Sequence, residues 1–219
     1  MRSLRNGDSH DPFDHHASPE HSIAVATRND QPCLFPEPAP LPAGFRYKPQ
    51  FLSGQEELEL LRQIERLPFE RFQFHGFLGK RRVVSFGWRY DFNDRQVRKA
   101  DDLPAFLLPL RDRAAAFAGL EPGDLQHALV TEYAPGAGIG WHRDKAVFDE
   151  VIGISLLSAC DFRLRRKIGS TWERATVIAE PRSAYLLSGP ARTEWEHSIP
   201  AMDCLRYSVT FRKFRGRAE

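Results

Sequence analysis

The 219 residues are 42% hydrophobic and 27% charged, with a net charge of +2. That is the make-up of a globular domain with one sizeable core, and it is too apolar for a wholly disordered chain. No apolar run has membrane-spanning length or the form of a signal peptide, and Cys33, Cys160 and Cys204 share no metal or redox spacing, so a cytoplasmic protein without a disulfide framework or membrane partner is expected.

The charge is uneven along the chain. Residues 1–40 hold three basic and six acidic side chains, leaving residues 41–219 at +5, a mildly basic body compatible with a polyanionic partner. Residues 1–42 are rich in His, Asp, Pro and Ser without periodicity, so a disordered acidic tail is expected. Its four histidines read as part of that solvated tail rather than as a metal tract.

The first helix is predicted from Ser53, where Ser53 and Glu56 form a capping box. Leu58, Leu61, Ile64 and Leu67 recur at helical spacing until Pro68 ends the run. The stretch "FQFHGFLGKRRVVSFGWRYDF" is aromatic and strand-like, with breaks at Gly76 and Gly79. "LPAFLLPLRDRAAAFAGL" predicts a second helix interrupted at Pro109. Short strand candidates then follow one another: "HALVTEYA", "VIGISLLSA", "DFRLRRK", "WERATVIA", "SAYLLSG" and "LRYSVTFRKF". Helices first and closely spaced strands afterwards predict an α+β protein, a β-sandwich or barrel buttressed by N-terminal helices.

Among these strands lies "GWHRD". If residues 139–144 are extended, His142 and Asp144 face the same side. Such a pair is either part of a surface turn or two ligands of a divalent metal, for which a two-His, one-carboxylate set is the signature of non-haem Fe(II) oxygenases. A second histidine is available in "WEHSIP", where His197 follows the later strands. In "RYSVTFR", alternation puts Arg206, Ser208, Thr210 and Arg212 on one strand face and Tyr207, Val209 and Phe211 on the other. The polar face is either solvated or lines a barrel interior, where arginine forks grip carboxylates.

The ordered set "EYAPGAGIGWHRD", "EHSIP" and "RYSVTFR" resembles the AlkB family of Fe(II)- and 2-oxoglutarate-dependent dioxygenases. The resemblance runs from about Leu41 to Arg215. It implies a double-stranded β-helix, or jelly roll, with a domain over residues 43–215, a substrate lid at about 69–92 and the core at about 125–215. It implies that His142, Asp144 and His197 bind Fe(II). Arg206 would pair with the distal carboxylate of 2-oxoglutarate, and Arg212 would lie near its chelating end. Tyr133 would donate a hydrogen bond to this co-substrate, and Ser208 would face the same pocket. Thr131 stands where the family usually has an asparagine near the co-substrate, and a hydroxyl still serves there.

The activity implied is O2-dependent demethylation of N-alkylated nucleic-acid bases, such as 1-methyladenine or 3-methylcytosine, releasing formaldehyde and succinate. Chemistry on a base requires a single strand or a flipped nucleotide. Phe77 would stack on that base. Lys80, Arg81 and Arg82, and the run Arg163, Arg165, Arg166 and Lys167, would meet phosphates, although each run also suits a solvated face. The repair pattern has an acid two positions after the metal aspartate, and this chain has Ala146 there. The same chemistry on tRNA, a protein side chain or a small molecule therefore stays open, as does a non-catalytic nucleic-acid-binding jelly roll. A monomer is expected. Trp88, Trp141 and Trp195 are read as packing, and Cys160 and Cys204 as core.

Overall fold

The computed structural model describes residues 40–74, 77–90, 97–99 and 101–216. All but the last three residues of the expected tail lie outside that range.

Helix α1 spans Gly54–Ile64 and starts at the predicted capping box. Ser53 Oγ accepts the Glu56 N–H at 3.2 Å and the Ser53 N–H donates to Glu56 Oε2 at 2.7 Å. Its buried stripe is Glu57, Leu61 and Ile64, whereas Leu58 is 52% exposed. Both stripes have helical spacing. The choice follows from the Glu57 carboxylate, which accepts the Leu157 N–H at 2.9 Å and the Arg182 guanidinium at 3.1 Å. Leu157 and Arg182 both have positive φ, at 73° and 63°, so one buried carboxylate ties down two turns. Helix α2, Leu108–Ala118, follows a 3-10 turn at Ala105–Leu107. Pro109 falls in its first turn, where no N–H is needed, so it opens the helix instead of interrupting it. Gly119, at φ 75°, closes it.

Among the described residues twelve strands follow one another: β1 Phe45–Lys48, β2 Glu70–Phe74, β3 Phe77–Tyr90, β4 Val97–Lys99, β5 Leu125–Tyr133, β6 Ile139–His142, β7 Phe148–Leu156, β8 Cys160–Ile168, β9 Thr171–Ala179, β10 Ser183–Leu187, β11 Glu196–Ile199 and β12 Arg206–Phe214. A short helix, α3, covers Gly189–Thr193. Gly79 does not break β3, which runs on through it.

The larger sheet has the order β1-β10-β7-β12-β5-β3-β2 with β4 beside β3, and the smaller has the order β6-β11-β8-β9. From β5 to β12 the chain passes between the two sheets, contributing β5, β7, β10 and β12 to one and β6, β8, β9 and β11 to the other. This is the expected double-stranded β-helix. The segment expected as a lid is the β2–β3 hairpin, and its second strand is hydrogen-bonded to β5 from Arg82 to Gly87. It is therefore a wall of the larger sheet.

Two cores result. The helices cover one face of the larger sheet, where Phe51, Leu61 and Ile64 meet Val130, Ile154, Val209 and Phe211. Between the sheets lies a second cluster with Phe162, Leu164, Tyr185, Leu187, Trp195 and Ile199. The inter-sheet space is only partly filled, and its open end is the site.

Candidate active site

Two glycines bring the histidines together. Pro135 and Gly136 form a tight turn after β5, closed by the Ala137 N–H donating to Ala134 O at 2.8 Å, with Gly136 at φ 81°. At Gly138 a Cβ would lie 2.7 Å from Ile199 O, so only glycine lets the chain pass that close to β11. The resulting register places His142 opposite His197, with ring centroids 4.2 Å apart.

The strand ends at His142, so Asp144 stands in the following loop and not one strand period further on. The loop still turns its carboxylate inward. Asp144 Oδ2 is 3.7 Å from His197 Nε2, and Oδ1 accepts Arg212 Nε and Nη2, each at 2.9 Å. His142 Nδ1 lies 2.8 Å from Gly140 O. With the proton on Nδ1, Nε2 is left for a ligand.

Burial lowers the pKa of His142, and lowers that of His197 to about 3. Burial works against the Asp144 carboxylate, yet the Arg212 guanidinium holds its pKa well below the ordinary value. Two neutral imidazoles and one carboxylate are the protonation states a divalent cation requires. Among the described residues, no three such groups stand close enough together to hold a metal ion as they are. One Asp144 oxygen is engaged by Arg212 and the other faces His197. The donor types and their convergence fit Fe(II).

A cavity of about 1430 Å³ opens over this group. Thr131, Tyr133, Ser208 and Arg212 line it, and Ser208 is the register partner of Thr131. Arg206 is sealed from solvent. Its Nε donates to Ser155 Oγ at 3.1 Å and its guanidinium lies 5.0 Å from the Tyr133 ring centroid, while Nη1 and Nη2 have no protein partner. A buried guanidinium with two idle nitrogens is costly unless an anion completes it. A carboxylate of 2-oxoglutarate fits that need.

The residues expected to bind substrate separate. Arg81 lines the cavity with its guanidinium 3.8 Å from the Phe72 ring centroid. Arg82 does not. It pairs with Glu132 through two contacts of 2.7 Å, and the Tyr207 hydroxyl donates to the same carboxylate at 3.2 Å. Alternation along β3 puts Arg82 in register with Glu132, and Arg82 is not among the residues that line the cavity. The side chain of Phe77 lies outside the described residues.

Alternation also divides the run on β8. Arg165 is held by Glu196 at 2.7 Å between the rings of Trp141 and Trp172, 4.3 Å from each. Arg166 is paired with Glu173 and Glu194. Trp141 is partly exposed and packs its ring on the Arg165 guanidinium, whereas Cys204 is exposed and not core.

Three site residues escape a sequence reading. His127 is buried beside Arg212, with Nδ1 3.3 Å from Nη1, and burial pushes its pKa well down. Strand alternation back from Thr131 would have found it. Arg192 donates to the carbonyls of Lys145 and Phe148 and so fixes the loop carrying Asp144. Tyr185 packs so tightly over Gly153 that a Cβ there would lie 2.1 Å from its ring. Neither has a local sequence signal.

Residues 44–212 match the model of the 2OG-Fe(II) oxygenase superfamily. The alkylated DNA repair protein ALKBH8 homolog of Arabidopsis thaliana is 31% identical over 176 residues, covering 69% of this chain and 49% of that protein. The tRNA (carboxymethyluridine(34)-5-O)-methyltransferase ALKBH8 of Macaca fascicularis is 27% identical over 169 residues, covering 74% of this chain and 25% of that protein. The chain thus spans about half or less of the length of these relatives. In fold it is similar to OsALKBH1, with a TM-score of 0.62 at 17% identity, covering 79% of this chain and 98% of that one.

Proposed function

The chain belongs to the AlkB family of 2OG-Fe(II) oxygenases, and on that footing we propose that it oxidatively demethylates N-alkylated bases in single-stranded nucleic acid. The protein is an oxidoreductase of the dioxygenase type, and its family uses Fe(II), 2-oxoglutarate and O2. The observation that carries the proposal is the cross-strand pairing of His142 with His197, with the Asp144 carboxylate beside them at the floor of a large cavity.

In this reading His142, Asp144 and His197 hold Fe(II). An Fe(II) held by these three residues would supply, with 2-oxoglutarate and O2, the oxidation of an N-methyl group to formaldehyde, with succinate and carbon dioxide as the co-products. The protein's own part is positioning. Arg206 takes the far carboxylate of the co-substrate through Nη1 and Nη2, and Ser155 fixes the guanidinium from behind. Tyr133, Thr131 and Ser208 offer hydroxyls along its length. Arg212 orients Asp144 and presents positive charge at the near end. A binding module would have no use for a sealed, half-satisfied arginine.

The relatives named above carry nucleic-acid functions in their names, and the basic body of this chain suits the same class of substrate. A tRNA substrate is the second reading, favoured by Ala146 in place of the repair acid and by the tRNA activity in the name of the Macaca relative. Cys160 and Cys204 are both free, which supports a reducing, cytoplasmic setting, and we take the chain to act as a monomer.

The test is formaldehyde release with Fe(II), ascorbate and 2-oxoglutarate on methylated single-stranded DNA, double-stranded DNA and RNA. Release from single strands that disappears in His142→Ala is expected. Slow succinate formation without formaldehyde from any of them would contradict demethylation and point to another substrate.

A further inference from the structure

The outward face of the smaller sheet carries an ordered stack of flat groups. His142, Leu164 and His197 point into the space between the sheets, so alternation turns Trp141, Arg165 and Glu196 to the outside. Register then puts Arg174 beside Arg165, and Trp172 beside Lys167, on that same face. The Arg165 guanidinium lies 4.3 Å from the ring centroid of Trp141 and 4.3 Å from that of Trp172, and Glu196 holds it at 2.7 Å. One ladder thus joins β6, β8 and β9. It starts at the rim of the cavity, which Trp141 and Arg143 both line.

The charges on this face do not cancel. The outward acidic side chains of the four strands are Asp161 and Glu196, and each already has an arginine, Arg163 at 3.5 Å and Arg165 at 2.7 Å. Glu173 points to the other side of β9, where it pairs with Arg166. Lys167 and Arg174 are exposed and, among the described residues, have no carboxylate partner. Trp141 is 36% exposed, which forgoes much of the burial that a large ring can gain. Bases stacked on the indoles would recover that burial, and the two cations would take phosphates. Trp and Arg also anchor contacts between proteins, but unpaired cations beside the ladder, and its continuity with the cavity rim, favour a polyanion with flat bases. We propose that Trp141, Arg165 and Trp172, with Lys167 and Arg174, form a stacking track on which single-stranded nucleic acid lies as it leaves the cavity.

The track rests on the nucleic-acid reading of the site but not on demethylation, so unmodified strands are the probe. A labelled single strand of about 12 nucleotides, and a duplex of the same length, would be titrated with the full chain and followed by fluorescence anisotropy. Trp172→Ala is expected to weaken single-strand binding about tenfold through loss of a base stack, and to leave the duplex, whose base faces are hidden, within about twofold. Lys167→Glu should weaken both by at least about threefold and flatten their salt dependence. Arg62→Glu makes the same change of charge at an exposed position on α1 and should leave both unchanged. Lys167 is exposed, so its variant carries the test should Trp172→Ala fail to fold. No strand binding, wild-type single-strand affinity in a folded Trp172→Ala, or equal losses in Lys167→Glu and Arg62→Glu overturns the track. Dimerisation in sedimentation that Trp172→Ala abolishes, with strand binding unmoved, also overturns it and gives the face to a second copy of the chain. The expected losses, without formaldehyde from any methylated strand, uphold the track and strike the demethylation.

Discussion

On the helix side of the larger sheet, Tyr207, Val209 and Phe211 of β12 pack with Phe51, Leu61 and Ile64 into a dry core. One residue out of phase on the same strand, Arg206, Ser208, Thr210 and Arg212 face the space between the sheets. Two carboxylates on the helix side are each held by two partners. Glu57 has its two partners, and Glu132 has Arg82 and Tyr207. The cavity side leaves Arg206 Nη1 and Nη2 without any. One face is finished by folding, whereas the other is finished by a ligand. The difference shows how a single strand separates stability from chemistry with a two-residue period.

Substitutions on the two faces should therefore fail in different ways. The largest effect is expected from Asp144→Asn, which keeps the shape and a group for Arg212 to meet but removes the ligand charge. Turnover should fall below detection while the melting temperature stays near that of the wild type. A variant that retains turnover would remove Asp144 from the metal set.

Next comes Phe211→Ala, which empties a fully buried position on the opposite face. It should cost about 3–5 kcal/mol in denaturant unfolding, with turnover per folded molecule unchanged. Loss of turnover in the folded fraction would show that the two faces are not separable.

Arg206→Met sharpens the comparison further. It removes a buried charge that the protein alone leaves half-satisfied, so the ligand-free protein should be as stable as the wild type or more so. The KM for 2-oxoglutarate should rise at least about tenfold, the worth of one charge-assisted pair. Stabilisation by 2-oxoglutarate with Mn(II) in a thermal melt should disappear. An unchanged KM would remove Arg206 from the co-substrate.

The smallest effect is expected from Glu57→Gln, at about 1–3 kcal/mol of stability, because the amide still reaches the Leu157 N–H or Arg182 but not both as well. A measured change near zero would show that α1 is held by its apolar stripe alone.

Much of this was legible in the sequence because strands alternate and caps are local. The capping box at Ser53, the six later strand segments and the two faces of "RYSVTFR" all follow from short-range rules. What stayed hidden depended on partners far away in the chain. Leu58 has helical spacing and yet faces solvent, because Leu157 and Arg182 recruit Glu57 instead. Arg82 belongs to a basic run, but only its register with β5 shows that Glu132 claims it. Arg192 supports the Asp144 loop through two carbonyls, and nothing in "GPART" announces that. At the site, the histidine and arginine positions were legible from motif order. The place of Asp144 in a loop beyond the end of β6 was not, because the strand's end is set by pairing with β11.

The most direct test of the account is anaerobic equilibrium binding of Fe(II) to the wild type and to His142→Ala, Asp144→Asn and His197→Ala, with 2-oxoglutarate present. One Fe(II) per wild-type chain, with affinity lost in each of the three variants, is the predicted result. Wild-type affinity retained in all three would contradict it and place the metal elsewhere.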